Sequence, residues 1–428
     1  MNTVRFDLVA KHLADAGTRR GILCRIAAIT LPLVGALPGL GETGEAARRR
    51  HRMTQRRTDR QDRAHDEKKK KKKSCAKAGQ ATSKKRKKCC AGLGRDATGH
   101  CAAQSSGCTP ASCGPTSCGS VPDGCGGTLS CGGCAGNSLC HGGACQPCAV
   151  TCLSGNPEIC GVDLQAALDE GGTVYVCPGR YQGGFVLNDA VAIIGAGEGA
   201  TVAANTILHA NNLGRVLLIN GGVGTVELER LRITGGNTTS NFGSANGAGI
   251  LHNGTMLRMT ECTVSDNTTL HHNGSGILTN GTLEMTRCTV RANHSTGAAA
   301  GVGIATTGTT TLTDCLVEEN TGGSAGVGMY VPSGTTTLAG NTQVRGNHLE
   351  SSFTAAGGGI NVGGGTLIIA ETCRVTQNTA TEGQGGGIFR SGGTVTLQGP
   401  TPSPIVVDNC HENCVGTVAK CAVTPVSC

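Results

Sequence analysis

The sequence predicts an all-β solenoid in which about eight similar coils stack along one axis. Residues 247–409 contain six units that open with Gly-x-Gly before Ile or Met and close with Val-x-x-Asn. The closing asparagines are 26, 27, 27, 31 and 31 residues apart, a spacing typical of stacked repeats. The units are rich in Gly and Thr, which form helices poorly, and apolar residues alternate with period two.

Each unit is predicted to contribute two or three short strands joined by corners. In residues 282–285, Leu283 and Met285 share one face while Glu284 lies on the other, as expected of a strand with one buried face. One unit cannot bury its own apolar face, whereas stacked units share a core. Neighbouring coils should then lie about 4.8 Å apart, the usual distance between paired strands.

Stacking places equivalent residues in columns, and two columns are assigned structural roles. The closing asparagines should form a hydrogen-bonded ladder at a corner and adopt the left-handed conformation there. The cysteines five residues earlier should pack as small buried residues, with a metal or redox column and a Cys288–Cys315 disulfide as alternatives. The two sets are Asn267, Asn293, Asn320, Asn347, Asn378 and Asn409, and Cys262, Cys288, Cys315 and Cys373.

The Gly-Gly-Ile openings and the x-x-Asn closings resemble the repeats of polymorphic outer membrane proteins. More broadly, the units resemble the right-handed parallel β-helix of the pectate-lyase-like superfamily, over roughly residues 160–428. The outer-membrane repeats usually carry Phe three residues before Asn, where this chain has Val. The resemblance implies a fold; it does not imply one activity, since this fold carries unrelated functions.

The N-terminal region is predicted to direct export. Thr18-Arg19-Arg20-Gly21 precedes an apolar stretch that ends at Leu40 and resembles a twin-arginine signal over residues 1–41. The alternative is a short membrane anchor, although a full span needs about 20 apolar residues. Any membrane contact is therefore expected to be limited to this segment.

A basic segment follows at residues 42–100 and is predicted to be disordered. The first 100 residues carry 26 Lys and Arg against 9 Asp and Glu, whereas the remainder has a net charge of −9. Dense like charge without apolar residues disfavours a folded core. A spacer and a tether to anionic wall polymer or lipid headgroups remain open. Nucleic acid is disfavoured because the segment has no aromatic residue to stack on bases.

Residues 101–152 are predicted to form a cysteine-rich module held together by disulfides. Sixteen of the 25 cysteines lie between Cys75 and Cys177, in a stretch with few apolar residues. Cys131-x2-Cys134 and Cys145-x2-Cys148 also have the spacing of a zinc site. Disulfides are favoured because these pairs lie among many cysteines behind an export segment.

The solenoid, residues 153–428, is predicted to have a cap at each end. Residues 161–172 form a helix whose Leu164 and Leu168 share an apolar face, with Gly at its C-terminus. A strand follows, and Cys160–Cys177 is one candidate disulfide between the helix and the first coil. At the other end, four cysteines predict a disulfide-locked cap: Cys410, Cys414, Cys421 and Cys428.

The sequence identifies no catalytic, cofactor-binding or metal-binding residue. Lyases of the superfamily that these repeats resemble bind calcium through stacked carboxylates. At the two positions before each closing asparagine, however, acidic residues do not recur on consecutive units. His252, His271, His272 and His294 are interpreted as surface turn residues. Aromatic residues make up 2% of the chain, which disfavours a sugar-binding cleft built on aromatic faces.

These observations predict an exported or cell-surface, non-enzymatic β-helix repeat protein with a structural, adhesion or glycan-contact role. The alternative is a carbohydrate-active lyase or hydrolase acting on a uronan-type polysaccharide. A cell-wall polymer or glycan is the expected partner, no cofactor is expected, and the chain is expected to be a monomer.

Overall fold

The structure is a computed structural model of the chain, and it describes residues 111–239, 246–350, 356–380, 385–400, 405–410 and 412–421. Before residue 111 it describes only the backbone of four short strands. The predicted export signal, residues 1–41, lies outside the described residues. The predicted basic segment, residues 42–100, also lies outside them, apart from the backbone of three of these strands. The chain divides into two compact units, Met1–Ser106 and Gly107–Cys428.

The first unit is described only by two pairs of strands. One pair is parallel and the other antiparallel. Their bounds are β1 Cys75–Ala76 with β2 Lys88–Cys89, and β3 Leu93–Arg95 with β4 Cys101–Ala103.

In the second unit, the cysteine-rich module contains two antiparallel β-hairpins. They are β5 Ser120–Pro122 with β6 Thr128–Ser130, and β7 Ser138–His141 with β8 Ala144–Pro147. The disulfides of the module include Cys113–Cys131 across the first hairpin, and Cys118–Cys140 and Cys134–Cys145, which tie the second hairpin to the chain before it. The disulfide interpretation is thus confirmed, since all four cysteines of the two zinc-like pairs are in disulfides.

Helix α1, Pro157–Asp169, precedes the first coil and begins four residues earlier than predicted. Asn156 caps it by accepting a hydrogen bond from the Glu158 amide at 2.9 Å, and Pro157 suits the first helical position. Leu164 and Leu168 are buried against the solenoid core, as expected. A Cβ at position 161 would overlap the backbone of Gln182, so the close packing of this helix requires Gly161.

The predicted Cys160–Cys177 pairing is wrong. Cys160 is bonded to Cys152 and Cys177 to Cys148. The segment that leaves the module runs beside the first coil, where Val150 bridges Val176 in parallel, so its own cysteines lie nearer to both partners. The helix is still covalently fixed, but to this segment.

The rest of the unit is a parallel β-solenoid of about eight turns. Three long sheets, called A, B and C, have nine strands each, and a short fourth sheet, D, has five.

Sheet A comprises β9 Gly172–Tyr175, β12 Val191–Ile194, β15 Thr225–Glu229, β18 Met256–Thr260, β22 Thr282–Thr286, β26 Thr309–Thr313, β30 Thr335–Ala339, β34 Thr366–Ile369 and β38 Thr394–Leu397. Sheet B comprises β10 Gly179–Gln182, β13 Thr206–His209, β16 Leu231–Thr234, β19 Thr263–Ser265, β23 Thr289–Arg291, β27 Leu316–Glu318, β31 Gln343–Arg345, β35 Arg374–Thr376 and β39 Val406–Val407. Sheet C comprises β11 Phe185–Leu187, β14 Leu217–Ile219, β17 Ile250–His252, β21 Ile277–Thr279, β25 Ile304–Thr306, β29 Met329–Val331, β33 Ile360–Val362, β37 Ile388–Arg390 and β40 Cys414–Val415. Sheet D comprises β20 Thr268–Thr269, β24 His294–Ser295, β28 Thr321–Gly322, β32 His348–Leu349 and β36 Thr379–Ala380. The n-th strands of sheets A, B and C are called level n below.

The predicted fold class is confirmed by the register of these sheets. The six valines that precede the closing asparagines stack directly on one another in sheet B. All six are completely buried: Val264, Val290, Val317, Val344, Val375 and Val406. Alternation along each strand places one set of side chains in this shared core and the other on the outer surface.

Residues at positive φ recur at three corners of levels 4, 5 and 6. At the opening corner this residue is the first glycine of Gly-x-Gly, as expected, for example Gly274 at +65°. At the other two corners it directly precedes the cysteine or the asparagine, as with Arg287 at +52° and Ala292 at +50°. The closing asparagines themselves are not left-handed, which corrects the prediction.

The cysteine-rich module contacts the side of level 3. The His141 Nε2 lies 3.1 Å from the Glu229 carboxylate, and Arg230 donates to the Cys140 carbonyl at 2.6 Å. At the far end of the solenoid, a Cys414–Cys421 disulfide closes part of the predicted cap. Cys428 lies outside the described residues.

Candidate binding cleft on sheet B

The longest connection between a strand of sheet A and the next strand of sheet B lies in level 2. The A-to-B connection of level 2 has eleven residues, 195–205, whereas that of level 3 has one residue and that of level 4 has two. The long loop is internally ordered: Gly199 donates to the Asn205 side chain at 2.9 Å, and Asn205 donates to the Thr201 carbonyl at 2.8 Å. It therefore projects from the solenoid as a defined structure.

This loop reaches across the outer face of sheet B. The Glu198 carboxylate accepts a hydrogen bond at 3.0 Å from Thr263 on β19, two levels beyond its own. At the usual strand spacing this covers about 10 Å of sheet. Ile207 on β13 is only 4% exposed and yet outside the main core cluster, as expected of an outward residue beneath the loop.

Polar side chains form the floor beside this loop. Arg232 contacts the Asp266 carboxylate at 2.9 Å, and Thr234 lies 3.5 Å from the same oxygen. Ser265 is completely buried, and its hydroxyl has no hydrogen-bond partner. Because Val264 between them points into the core, Thr263 and Ser265 face outward. We call the following six residues the Glu198 cleft: Glu198, Arg232, Thr234, Thr263, Ser265 and Asp266.

Burial raises the pKa of the Glu198 carboxyl above its ordinary value, and the nearby Glu261 acts in the same direction. The hydrogen bond from Thr263 and the charge of Arg232 oppose this shift. Glu261 is itself paired with Arg287 at 2.8 Å. The cleft thus contains a half-buried carboxyl group beside an arginine–carboxylate pair, a set of groups able to bind a polar ligand.

The histidines divide between buried and surface positions, so their interpretation as surface turn residues is wrong for His252. That ring is completely buried on β17, and its Nδ1 lies 2.8 Å from the Thr279 hydroxyl. Burial lowers the pKa of His252 to about 4, so it is neutral at pH 7. His271 is exposed and accepts a hydrogen bond from the Ala298 amide, while His294 is partly buried beside Thr321.

The asparagine column is continuous along sheet B. Each side-chain amide donates at 2.9 Å to the side-chain oxygen of the asparagine in the next level. That oxygen also accepts a hydrogen bond from the backbone N–H of the same donor asparagine. The column begins at the Gly236 amide and ends on Asn413. All six asparagines are completely buried, and the column carries no chemistry beyond hydrogen bonding.

The cysteine column lies at the opposite edge of sheet B. Cys262, Cys288, Cys315 and Cys373 are buried free thiols, so the alternative Cys288–Cys315 disulfide is not formed. Hydrogen bonding with Cys262 and burial raise the pKa of Cys288. Hydrogen bonding with Cys288 and burial likewise raise the pKa of Cys315. Thiols held protonated in this way are poor nucleophiles and poor metal ligands.

Two other features have no functional chemistry. Among the described residues, one group of potential metal ligands converges, Cys118, Cys134 and Cys145, but all three are in disulfides. A shallow depression of about 200 Å³ lies on sheet A beside Ala190 and Glu227. The Glu227 carboxylate that lines this depression is already paired with Arg258 at 3.3 Å, and the other lining side chains are small.

The repeat pattern does not indicate Glu198 or Arg232, because both precede the six repeated units. Asp266 was considered only as one position in a column that lacks recurring acids. The indication in the sequence is length: the equivalent apolar runs that begin at Val191 and Val226 are 35 residues apart, against 26 to 31 residues between successive closing asparagines. An insertion into a regular solenoid is where a binding loop is expected.

The chain matches no protein-family model, no curated protein and no solved structure. The resemblance to pectate-lyase-like proteins therefore stays at the level of the fold, a parallel solenoid. The disulfides indicate an oxidising, extracellular type of environment. In the part of the chain that is described, no helix is long and apolar enough to cross a membrane.

Proposed function

We propose that this protein is an exported, non-enzymatic β-helix repeat protein that contacts a glycan through the Glu198 cleft. One observation carries the proposal: the Glu198–Thr263 hydrogen bond closes a long loop over a polar floor. Export through the twin-arginine-like segment and attachment through the basic segment are parts of the same proposal.

The chemistry of the cleft favours a hydroxylated ligand. Hydroxyl, guanidinium and carboxylate groups supply both donors and acceptors, which sugar hydroxyls need. The guanidinium and hydroxyl groups lie on the paired strands β16 and β19, whose residues are held in register, so this part of the floor is already organised before a ligand arrives. Such preorganisation reduces the entropy lost on binding.

A carbohydrate-active enzyme is the second candidate, and the environment of two carboxyl groups favours it. Burial raises the pKa of Glu198, whereas Asp266 is paired with Arg232. Different environments for two carboxyl groups are typical of an acid and base pair. Release of new reducing or unsaturated ends from a uronan, abolished in Glu198→Gln, is the expected result for this candidate.

A glycan array probed with the full-length protein tests the proposal. We expect binding without cleavage, and a loss of at least tenfold in affinity for Glu198→Ala, which removes the carboxyl group from the cleft. Glu284→Ala is the matched control, because Glu284 is an exposed carboxylate paired with Arg258 on sheet A, away from the cleft. Absence of binding to every glycan, or equal losses in both variants, would refute the proposal.

A further inference from the structure

We infer that the Glu198 cleft selects a glycan with a primary amine, an amino sugar in its ammonium form, over acidic sugars. This inference rests on the proposed glycan contact and specifies its ligand. It comes from the charge balance of the cleft and from one buried hydroxyl group.

The charge balance leaves one carboxyl group without a cationic partner. Arg232 is paired with Asp266 at 2.9 Å, and Arg287 is paired with Glu261 at 2.8 Å. Among the described residues, Glu198 forms no ion pair and bonds only to the Thr263 hydroxyl through one of its oxygens. A cation on the ligand would give Glu198 the ion-pair partner that it lacks, whereas a ligand carboxylate would meet Glu198 as a like charge.

A second observation independently indicates a ligand at the same place. The Ser265 hydroxyl is completely buried on the outer side of β19, two residues from Thr263, and has no partner. A buried hydroxyl without a hydrogen bond destabilises the protein unless a ligand group or a water molecule satisfies it. A hydroxyl-bearing ligand whose ammonium group contacts Glu198 would place a polar group near Ser265.

The arrangement favours a sugar over a peptide or a metal ion. The floor is the face of a fully paired sheet, so no backbone edge is available to the main chain of a peptide. Glu198 also does not belong to any converging group of three potential metal ligands in the described part of the chain. A single carboxylate with neighbouring hydroxyls suits an ammonium group on a ring that carries hydroxyls.

Calorimetric titration of the full-length protein with three oligosaccharides of equal length tests this inference. The probes are a glucosamine tetramer, its N-acetylated form and a tetramer of galacturonic acid. We expect the glucosamine tetramer to bind at least tenfold more tightly than the N-acetylated form, because acetylation removes the charge. The galacturonic acid tetramer is expected to bind least.

Two variants localise the effect. Glu198→Gln keeps the size of the side chain but removes its charge, and should abolish the preference for the free amine. Glu284→Gln is the control, because Glu284 is an exposed, arginine-paired carboxylate on sheet A. Ser265→Ala should weaken all bound sugars by several-fold, with the thermal midpoint measured to confirm folding.

The outcomes separate this inference from the proposed function. A preference for the N-acetylated or acidic tetramer, or an amine preference retained in Glu198→Gln, overturns the inference while leaving glycan contact in place. No binding to any of the three, together with a glycan array without binding, overturns both.

Discussion

The asparagine and cysteine columns occupy opposite edges of sheet B, and they differ in how much substitution they tolerate. Both are buried; every closing asparagine follows a residue at positive φ, as do Cys262, Cys288 and Cys315. Every level from 4 to 9 has asparagine in the first column, whereas Thr342 replaces cysteine in level 7. Thr342 donates to the Leu312 carbonyl at 3.1 Å, much as Cys315 Sγ donates to the Met285 carbonyl at 3.4 Å. One corner needs a complete amide; the other needs a small residue with one donor.

The largest expected effect is at the asparagine column. Asn320→Ala should destabilise the fold by about 3–5 kcal/mol, because several buried donors and acceptors lose their partners together. Asn280→Ala is the matched control: Asn280 is exposed and bonded to Asn253, and should cost under about 1 kcal/mol. Denaturant unfolding compares the two, and similar losses would contradict the distinction between buried and exposed asparagines.

Another prediction concerns His252, a buried histidine whose protonation would place a positive charge inside the solenoid. His252 has a folded pKa of about 4, below its unfolded value, so its contribution to stability is complete above about pH 6.5 and declines as the pH falls. Between pH 7 and pH 4 the native protein should lose about 3 kcal/mol through this residue.

The double variant His252→Ile with Thr279→Val matches the aliphatic residues Ile219 and Val331 in the same column. Its unfolding free energy should depend less on pH over this range. An unchanged dependence would mean that other groups cause the acid sensitivity.

The cysteine column should respond less. Cys315→Ala is expected to cost about 1–2 kcal/mol, from a small cavity and the lost contacts of the thiol. Cys288→Thr copies the residue found in level 7 and should cost less than the alanine change. If threonine destabilises as much as Asn320→Ala, the two columns are equally strict and the comparison fails.

The smallest expected effect concerns the residue before the asparagine. Ala292 has φ of +50°, and the equivalent position in level 7 is Gly346. Ala292→Gly should raise stability by about 0.5 kcal/mol, because relief of left-handed strain exceeds the added chain entropy. Ala305→Gly, within strand β25, is the control and should lower the thermal midpoint.

The repeats were predictable because stacking is nearly local in sequence. Each valine and each closing asparagine contacts its equivalent about one repeat later, so the period also fixes the register. The site was less accessible. Glu198 meets Thr263 only because an eleven-residue loop crosses two levels, and no periodicity describes an insertion.

The sequence by itself determined the all-β class, the stacked coils, the columns and the presence of disulfides, since repetition and cysteine density are properties of the chain. Only the tertiary structure decided which cysteines pair, that His252 lies inside, that the residue before each asparagine makes the left-handed turn, and that Glu198 bonds to Thr263. The physical reason is shared: these features depend on the direction of side chains at corners and on contacts between non-equivalent positions, which a repeat period does not encode.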